Sequence, residues 1–426
     1  MTLLHPIATH GCGCDRRDTA RPLLGIDDAL ALITDRTTVI EGVEEISLGT
    51  SMGRILAAPV RSDCMNPPFD NAAMDGYAVA TSALRGDGPW TLNVAERVPA
   101  GKPALLPLSG LVAARIFTGA PVPSGADAVV MQEDVHLTGA TIRISRRPAP
   151  GLNIRRAGSE MAAGAIVLEP GHRLGPRGIA TCAAAGVGCI DIRRRLRVAL
   201  LVTGDEVRQA GAGRTEAQIW DVNTPMLTAE LTQPGIDLVA VEQGFDSRHG
   251  LIFQLAKLAG IADLVITTGG ISAGEEDHVK PALHALGGEI LFSGVAVKPG
   301  KPVSFGHARG ASWLGLPGNP LAAFITWQLF GKALVRAMTG ETGGGTRRRH
   351  VVTARDIIKK AGRCELRPAI CTGFDVQGRE VVRFEPETHS SRASSLSGAS
   401  GLIFVPADAE HLPAGALVEF QPFCGT

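Results

Sequence analysis

Hydrophobic positions along this chain change their period several times, and each change marks a boundary. Residues 24–60, LGIDDALALITDRTTVIEGVEEISLGTSMGRILAAPV, begin with a helical pattern entered near Ile26 and Asp27. They then pass through a strand around Glu44–Leu48, and their spacing predicts a second helix before residue 60. The turn-rich NPPFDNAAMDGYAV follows, and from Trp90 to about Leu137 short alternating runs are bounded by Gly and Pro. ATIRISR continues that pattern, so this stretch reads as a small β-rich module. Pro176–Gly186 suits a short helix, and if it rejoins the first helices the β module is an insertion.

From Arg197 the texture differs. RVALLVTGDE, IDLVAVEQG, ADLVITTGG and SWLGLPGN are apolar, β-branched runs that end in glycine or acid, with helical patterns at 224–232, 247–259, 277–286 and 320–338 between or after them. Strand, loop and helix in alternation imply parallel strands with crossover helices, hence a doubly wound α/β domain whose ligands bind at the carboxyl ends of the strands. TGETGGG, 339–345, reads as a linker, and HVVTARDI, RCELRPAI, EVVRFEP, GLIFVPA and ALVEFQPF as a final β domain. The expected division is a disordered extension over 1–21, an N-terminal mixed domain over 22–64 and 150–192, an inserted β-rich module over 65–149, an α/β domain over 193–340 and a C-terminal β domain over 346–426. The fold class expected is thus multidomain α/β and β, and several domains are also what 426 residues imply, since single cores stop growing at roughly 250–300 residues.

Composition narrows the function classes. Lys and Arg together number 42, as do Asp and Glu, so no global charge draws the chain to nucleic acid or an anionic membrane. Any anion site must be local. The basic clusters RRRLR (193–197) and RRRH (347–350) lack interleaved aromatics and read as solvated domain edges. No run approaches a membrane span, and MTLLHPIATHGCGCDRR lacks a secretory pattern, so a cytoplasmic protein is expected. Eight scattered cysteines do not form a disulfide framework; Cys12 and Cys14 with His5 and His10 match no standard zinc spacing.

Candidate chemistry concentrates at the ends of the α/β strands. Asp205, Glu206, Asp246, Glu275, Glu276 and Asp277 come from separate strand ends, and carboxylates gathered this way repel unless a hard cation such as Mg²⁺ joins them. The alternative for Glu275 and Glu276 is that they are helix-start acids favoured by the helix dipole. Gly269, Gly270 and Gly274 lie between a strand and a helix, where backbone N–H groups accept anions, yet GG-x-x-x-G is neither a Walker loop nor G-x-G-x-x-G. GLPGNP, 315–320, could form a second anion nest. In VAVKPGKPVSFG, Pro299 and Pro302 restrict the backbone that presents Lys298 and Lys301, two point charges suited to an oxyanion. Asp70, Asn71, Asp75 and Tyr77, the single tyrosine, crowd one loop, and Thr118 ends a strand; no nucleophile–base pair can be named among them. His278 reads as a helix-surface histidine.

Seven motifs occur in order: FDNAAMDGYAV (69–79), FTGAPVPSGADAVVMQE (117–133), NIRRAGSE (153–160), TGDE (203–206), TTGGISAGEEDHVK (267–280), KPGKP (298–302) and GLPGNP (315–320). Together they resemble the molybdopterin molybdenumtransferases of the MoeA and gephyrin E-domain type, from about residue 22 to the C-terminus. The resemblance implies an elongated homodimer of four-part chains whose α/β domain is related to molybdopterin adenylyltransferase. It implies a reaction of adenylyl-molybdopterin and molybdate that yields molybdenum cofactor and AMP and requires Mg²⁺, in an active site between subunits. Catalytic roles then fall on Asp75, Thr118, Glu206, Asp277, Lys298 and Lys301, and Mg²⁺ ligation on Glu206, Asp246 and Asp277. Substrate-binding roles fall on Gly269, Gly270, Ser272, Gly274, Pro317, Gly318 and Asn319. They extend to Arg367, if one residue is dropped in RCELRP, and to Ser390, with Ser391 as competitor. The family implies a molybdopterin adenylyltransferase as partner. The alternatives are that the chain is itself an adenylyltransferase, which would not need the N- and C-terminal modules, or a non-catalytic scaffold of the gephyrin type.

Overall fold

The computed structural model describes residues 23–245, 247–271, 278–343, 348–386, 394 and 396–423. The four apolar runs after Arg197 are parallel strands of one six-stranded sheet. Its order is Ile236–Gln243, Leu196–Val202, Leu264–Thr268, Ala311–Leu316, Ser304–Ala308 and Glu289–Ser293, the last two each pairing antiparallel with the strand before it at one edge. Parallel sheets need cover on both faces, and the burial shows it. Leu200, Ile266 and Leu314 face one cluster with helices Asn223–Leu231 and Pro320–Thr326. Leu201, Val265 and Trp313 face another with helices Arg248–Ile261 and Val279–Ala285. The fold is doubly wound, as the alternation of runs implied.

The first helix, Ile26–Arg36, adds to this domain and not only to its sequence neighbours. Ile26, Ala29 and Ile33 are buried in the same core as the sheet, Leu24 bridges to Val295, and Arg36 pairs with Glu289 at 3.4 Å. The second helix expected before residue 60 does not form. Among these residues there is one short 3-10 turn, Leu48–Thr50; Gly53 then turns with φ +75°, and Ile55 and Leu56 make single β-bridges to Arg173 and Ile192. Two glycines and a proline within Gly49–Pro59 remove the local propensity that the apolar spacing suggested.

Val43–Ser47 pairs antiparallel with Cys189–Arg193, and Val60–Arg61 with Ile166–Leu168, so the chain between them leaves and returns. The excursion carries a six-stranded sheet in the order Ala128–Met131, Gly76–Val79, Val112–Ile116, Trp90–Val98, Thr141–Ile144, Val135–Thr138. At the other end, Cys364–Phe374, Glu380–Phe384, Arg349–Thr353, Leu417–Pro422 and Gly401–Val405 pair in sequence, and the last returns to the first, closing the sheet on itself. Val297–Lys298 joins this closed sheet as an extra strand, paired parallel with Cys364–Glu365. The lysine motif therefore sits where the α/β and C-terminal domains meet. No helix among the described residues is long and apolar enough to cross a membrane.

Candidate functional site

The carboxyl ends of the four parallel strands are tied to one another through backbone. Gly244 N–H donates to Val202 O at 2.7 Å, Thr203 N–H to Thr268 O at 3.0 Å and Gly269 N–H to Leu316 O at 3.1 Å. Gly269 holds φ +88°, and a Cβ there would lie 2.7 Å from Thr203 O, so only glycine lets these turns close up. Gly318 packs against Gly269 from the neighbouring turn. Gly269, Gly270, Pro317 and Gly318, drawn from separate motifs, thus form one continuous rim.

Asn223, which the sequence did not single out, fastens that rim. It is 7% exposed at the start of its helix. One amide hydrogen goes to Thr268 Oγ1 and the other to Gly318 O, both at 2.8 Å, while the Thr268 hydroxyl donates to Pro317 O at 3.0 Å. The amide orientation follows from the partners: Gly318 O can only accept, and the Thr268 hydroxyl hydrogen is already committed. Asn223 Oδ1 is buried without a partner. The sequence signal was only DVN before a helix, which reads equally well as a cap; Asp221 does cap Thr224 N–H at 2.9 Å.

Beside the rim, Lys298, Pro299, Gly300, Lys301 and Pro302 line a cleft of about 230 Å³ together with Pro317, Asn319, Ala322 and Arg363. Gly300 has φ +115°, and a Cβ there would fall 2.5 Å from Thr326 Cγ2, which explains the glycine between the two Lys-Pro units. Lys298 lies 3.3 Å from Glu365, whose carboxylate also takes Arg367 Nε at 3.0 Å. Glu365 and Arg367 are buried behind the cleft, and Arg367 donates again to Pro386 O at 2.7 Å. One carboxylate shared by two cations leaves the cleft cationic, with Lys298, Lys301 and Arg363 at its surface. Arg367 fixes the wall from within; Arg363, which no motif marked, lines the space.

In the β module, Asp75 Oδ1 accepts both from Thr118 N–H, at 2.8 Å, and from the Thr118 hydroxyl, at 2.7 Å. These bonds, joined by the nearby Arg115 charge, hold the Asp75 carboxyl below its ordinary value. Asp70 is held low in the same way by Ala157 N–H and Arg156. The polar loop therefore carries two ionised, oriented carboxylates, Asp70 and Asp75, just before strand Gly76–Val79.

Glu206 is exposed, and its carboxylate folds back over Gly204, where a Cβ would meet Oε2 at 2.7 Å. As an exposed carboxylate on the strand-end loops it suits a hard cation; no three His, Cys, Asp or Glu side chains converge among the described residues. Asp246, Ser272, Gly274, Asp277 and Ser390 lie outside the described residues, as do Glu275, Glu276, Ser391, His5, His10, Cys12 and Cys14. His278 is the residue before helix Val279–Ala285, and Lys280 on that helix reaches back to Ile271 O at 2.6 Å.

Comparison with known proteins adds three family matches: residues 24–186 match the MoeA N-terminal region (domain I and II), 199–337 a probable molybdopterin binding domain and 350–423 the MoeA C-terminal region (domain IV). The chain is 34% identical over 408 residues to a molybdopterin molybdenumtransferase of Haemophilus influenzae, covering 94% of this chain and 99% of that one. It is 34% identical over 382 residues to molybdopterin molybdenumtransferase 2 of Mycobacterium tuberculosis, covering 88% and 93%. A crystal structure of a molybdopterin biosynthesis MoeA protein from Pyrococcus horikoshii OT3 superposes with a TM-score of 0.80 at 28% identity, covering 94% of this chain and all of that one.

Proposed function

The chain belongs to the molybdopterin molybdenumtransferase family, and we propose that it transfers molybdenum from molybdate to adenylyl-molybdopterin, with release of AMP, in the cleft beside Lys298 and Lys301. It is a transferase of molybdenum cofactor biosynthesis. The observation that supports this use of the cleft is the meeting of the cationic KPGKP segment with Pro317 and Asn319 at the carboxyl-terminal rim of the parallel sheet.

Two anionic reactants must approach each other, and the local cations lower that cost. Lys298 and Lys301 act as point charges toward molybdate or phosphate, and Arg363 adds a planar donor set on the same wall. The glycine turns of the rim, fastened by Asn223, let backbone approach the phosphate side of the substrate closely. Glu206, with Asp246 and Asp277, would hold Mg²⁺, which supplies charge neutralisation at the pyrophosphate when bound. Asp75, aligned by Thr118, belongs to the same reaction if the β module of one subunit faces the α/β domain of another; a homodimer in the cytoplasm, supplied by a molybdopterin adenylyltransferase, is the assembly this reading entails.

Purified protein incubated with adenylyl-molybdopterin and Mg²⁺ should release AMP faster when molybdate is added. Pyrophosphate release from ATP with plain molybdopterin would point to adenylyl transfer instead. Asp277→Ala should abolish the Mg²⁺-dependent AMP release while the dimer persists in sedimentation; normal release from that variant removes Asp277 from the metal site.

A further inference from the structure

Strands Trp90–Val98 and Val112–Ile116 run parallel with Arg97 in register beside Arg115, and Arg115 is in register with Tyr77 on its other side. Like charges placed side by side on a sheet repel, so such a pair persists only where something offsets it. Part of the offset is aromatic. The Arg97 guanidinium lies 4.5 Å and that of Arg115 5.0 Å from the centre of the Phe117 ring, and Arg115 also lies 5.0 Å from the Tyr77 ring. Arg115 further donates to Gly76 O at 3.2 Å and to Gln132 Oε1, and its charge acts on Asp75. The Arg97 side chain makes no hydrogen bond or ion pair among the described residues, although it is exposed and lies over the Phe117 ring. Glu96, next to it in the chain, is engaged with Leu105 N–H at 2.7 Å.

A guanidinium that rests over a ring with its N–H groups uncommitted has already lost part of the side-chain freedom that ligand binding removes. Phe117 also precedes Thr118, the residue that orients Asp75. The chain as a whole carries no net charge, so this is a local concentration of positive charge beside a functional motif. We propose that Arg97, supported by Phe117 and Arg115, is a phosphoryl-binding subsite that contacts the phosphate of the adenylylated substrate. It rests on the functional reading above, extending it to a side chain that none of the seven motifs contains.

Calorimetric titration of AMP, adenosine and molybdate into the full-length wild type, Arg97→Ala, Arg97→Lys and Phe117→Leu tests this. Arg97→Ala should weaken AMP binding about tenfold or more and leave adenosine and molybdate unchanged. Arg97→Lys should recover part of the loss, and Phe117→Leu should lose several-fold with the charge intact, because the platform is gone. Equal AMP affinity in wild type and Arg97→Ala overturns the subsite, as does a loss confined to molybdate. A wild type that binds neither AMP nor molybdate instead undoes the functional reading itself. Unaltered thermal unfolding of Arg97→Ala separates a lost contact from a lost fold.

Discussion

Replacing Asn223 tests whether the rim of the α/β domain is held by one side chain. Asn223→Ala removes a buried hydrogen bond to Thr268 Oγ1 and a half-buried one to Gly318 O, of 2.8 Å each. Thr268 Oγ1 keeps its own bond to Pro317 O, and Gly318 is exposed, so water can take the place of the amide at its carbonyl. Loss of the two bonds costs about 1 kcal/mol each. The wild-type side chain already buries an unpartnered Oδ1, and deleting that atom returns roughly 1 kcal/mol. The net expectation is a loss of about 1 kcal/mol. Asn223→Asp is nearly isosteric but replaces both donors with an acceptor facing acceptors, and it buries a charge. Its deficit should exceed that of the alanine variant at pH 7.5. Burial raises the new carboxyl's folded pKa above its unfolded value, so the charged form opposes folding and the deficit should shrink as the pH falls toward 5. Urea unfolding followed by tryptophan fluorescence reads this region through Trp313 and Trp327, both buried in the α/β domain. An alanine variant within about 0.5 kcal/mol of wild type, or an aspartate variant that matches alanine at both pH values, would refute the clamp.

Gly300→Ala should destabilise the lysine segment by about 1–3 kcal/mol and raise the KM for molybdate, since φ +115° and the 2.5 Å approach to Thr326 Cγ2 both exclude a side chain; unaltered KM and stability would count against that strain. Asp263 ties the strand starts together by pairing with Arg194 at 2.7 Å and Arg197 at 2.8 Å. Burial opposes its ionisation, but the hydrogen bonds from both arginines outweigh burial and hold its carboxyl far below the usual range. A depressed folded value means that this stabilisation is present above about pH 4 and fades as pH falls below it. Asp263→Asn should therefore cost on the order of 2 kcal/mol at pH 7, part of which is gone at pH 3 while the rest fades only at still lower pH, a trend readable from unfolding midpoints across that range; a deficit independent of pH would show that the pairing is not its source.

The sequence by itself determined the doubly wound domain, because its central strands Leu196–Val202, Leu264–Thr268 and Ala311–Leu316 are buried on both faces and must be near-continuous apolar runs that end in turn residues. It also marked Lys298, Lys301, Gly269 and Gly318, whose residue types record local demands: fixed charge on a proline-restricted backbone, a left-handed turn at Gly269 and close backbone approach at Gly318. Periodicity records that a face is buried but not against what. That is why helix Ile26–Arg36 could not be assigned to the α/β core, and why a second helix was expected where glycines leave only a turn and bridges. The partners of Asn223 are 45 and 95 residues away. Arg363 and Arg367 are four positions apart in one segment, yet one lines the cleft and the other is sealed behind it with Glu365. Arg97 acquired a neighbour of like charge only through strand register. Those choices depend on which surfaces come together once every domain is packed, a sum over long-range contacts that local residue patterns do not contain.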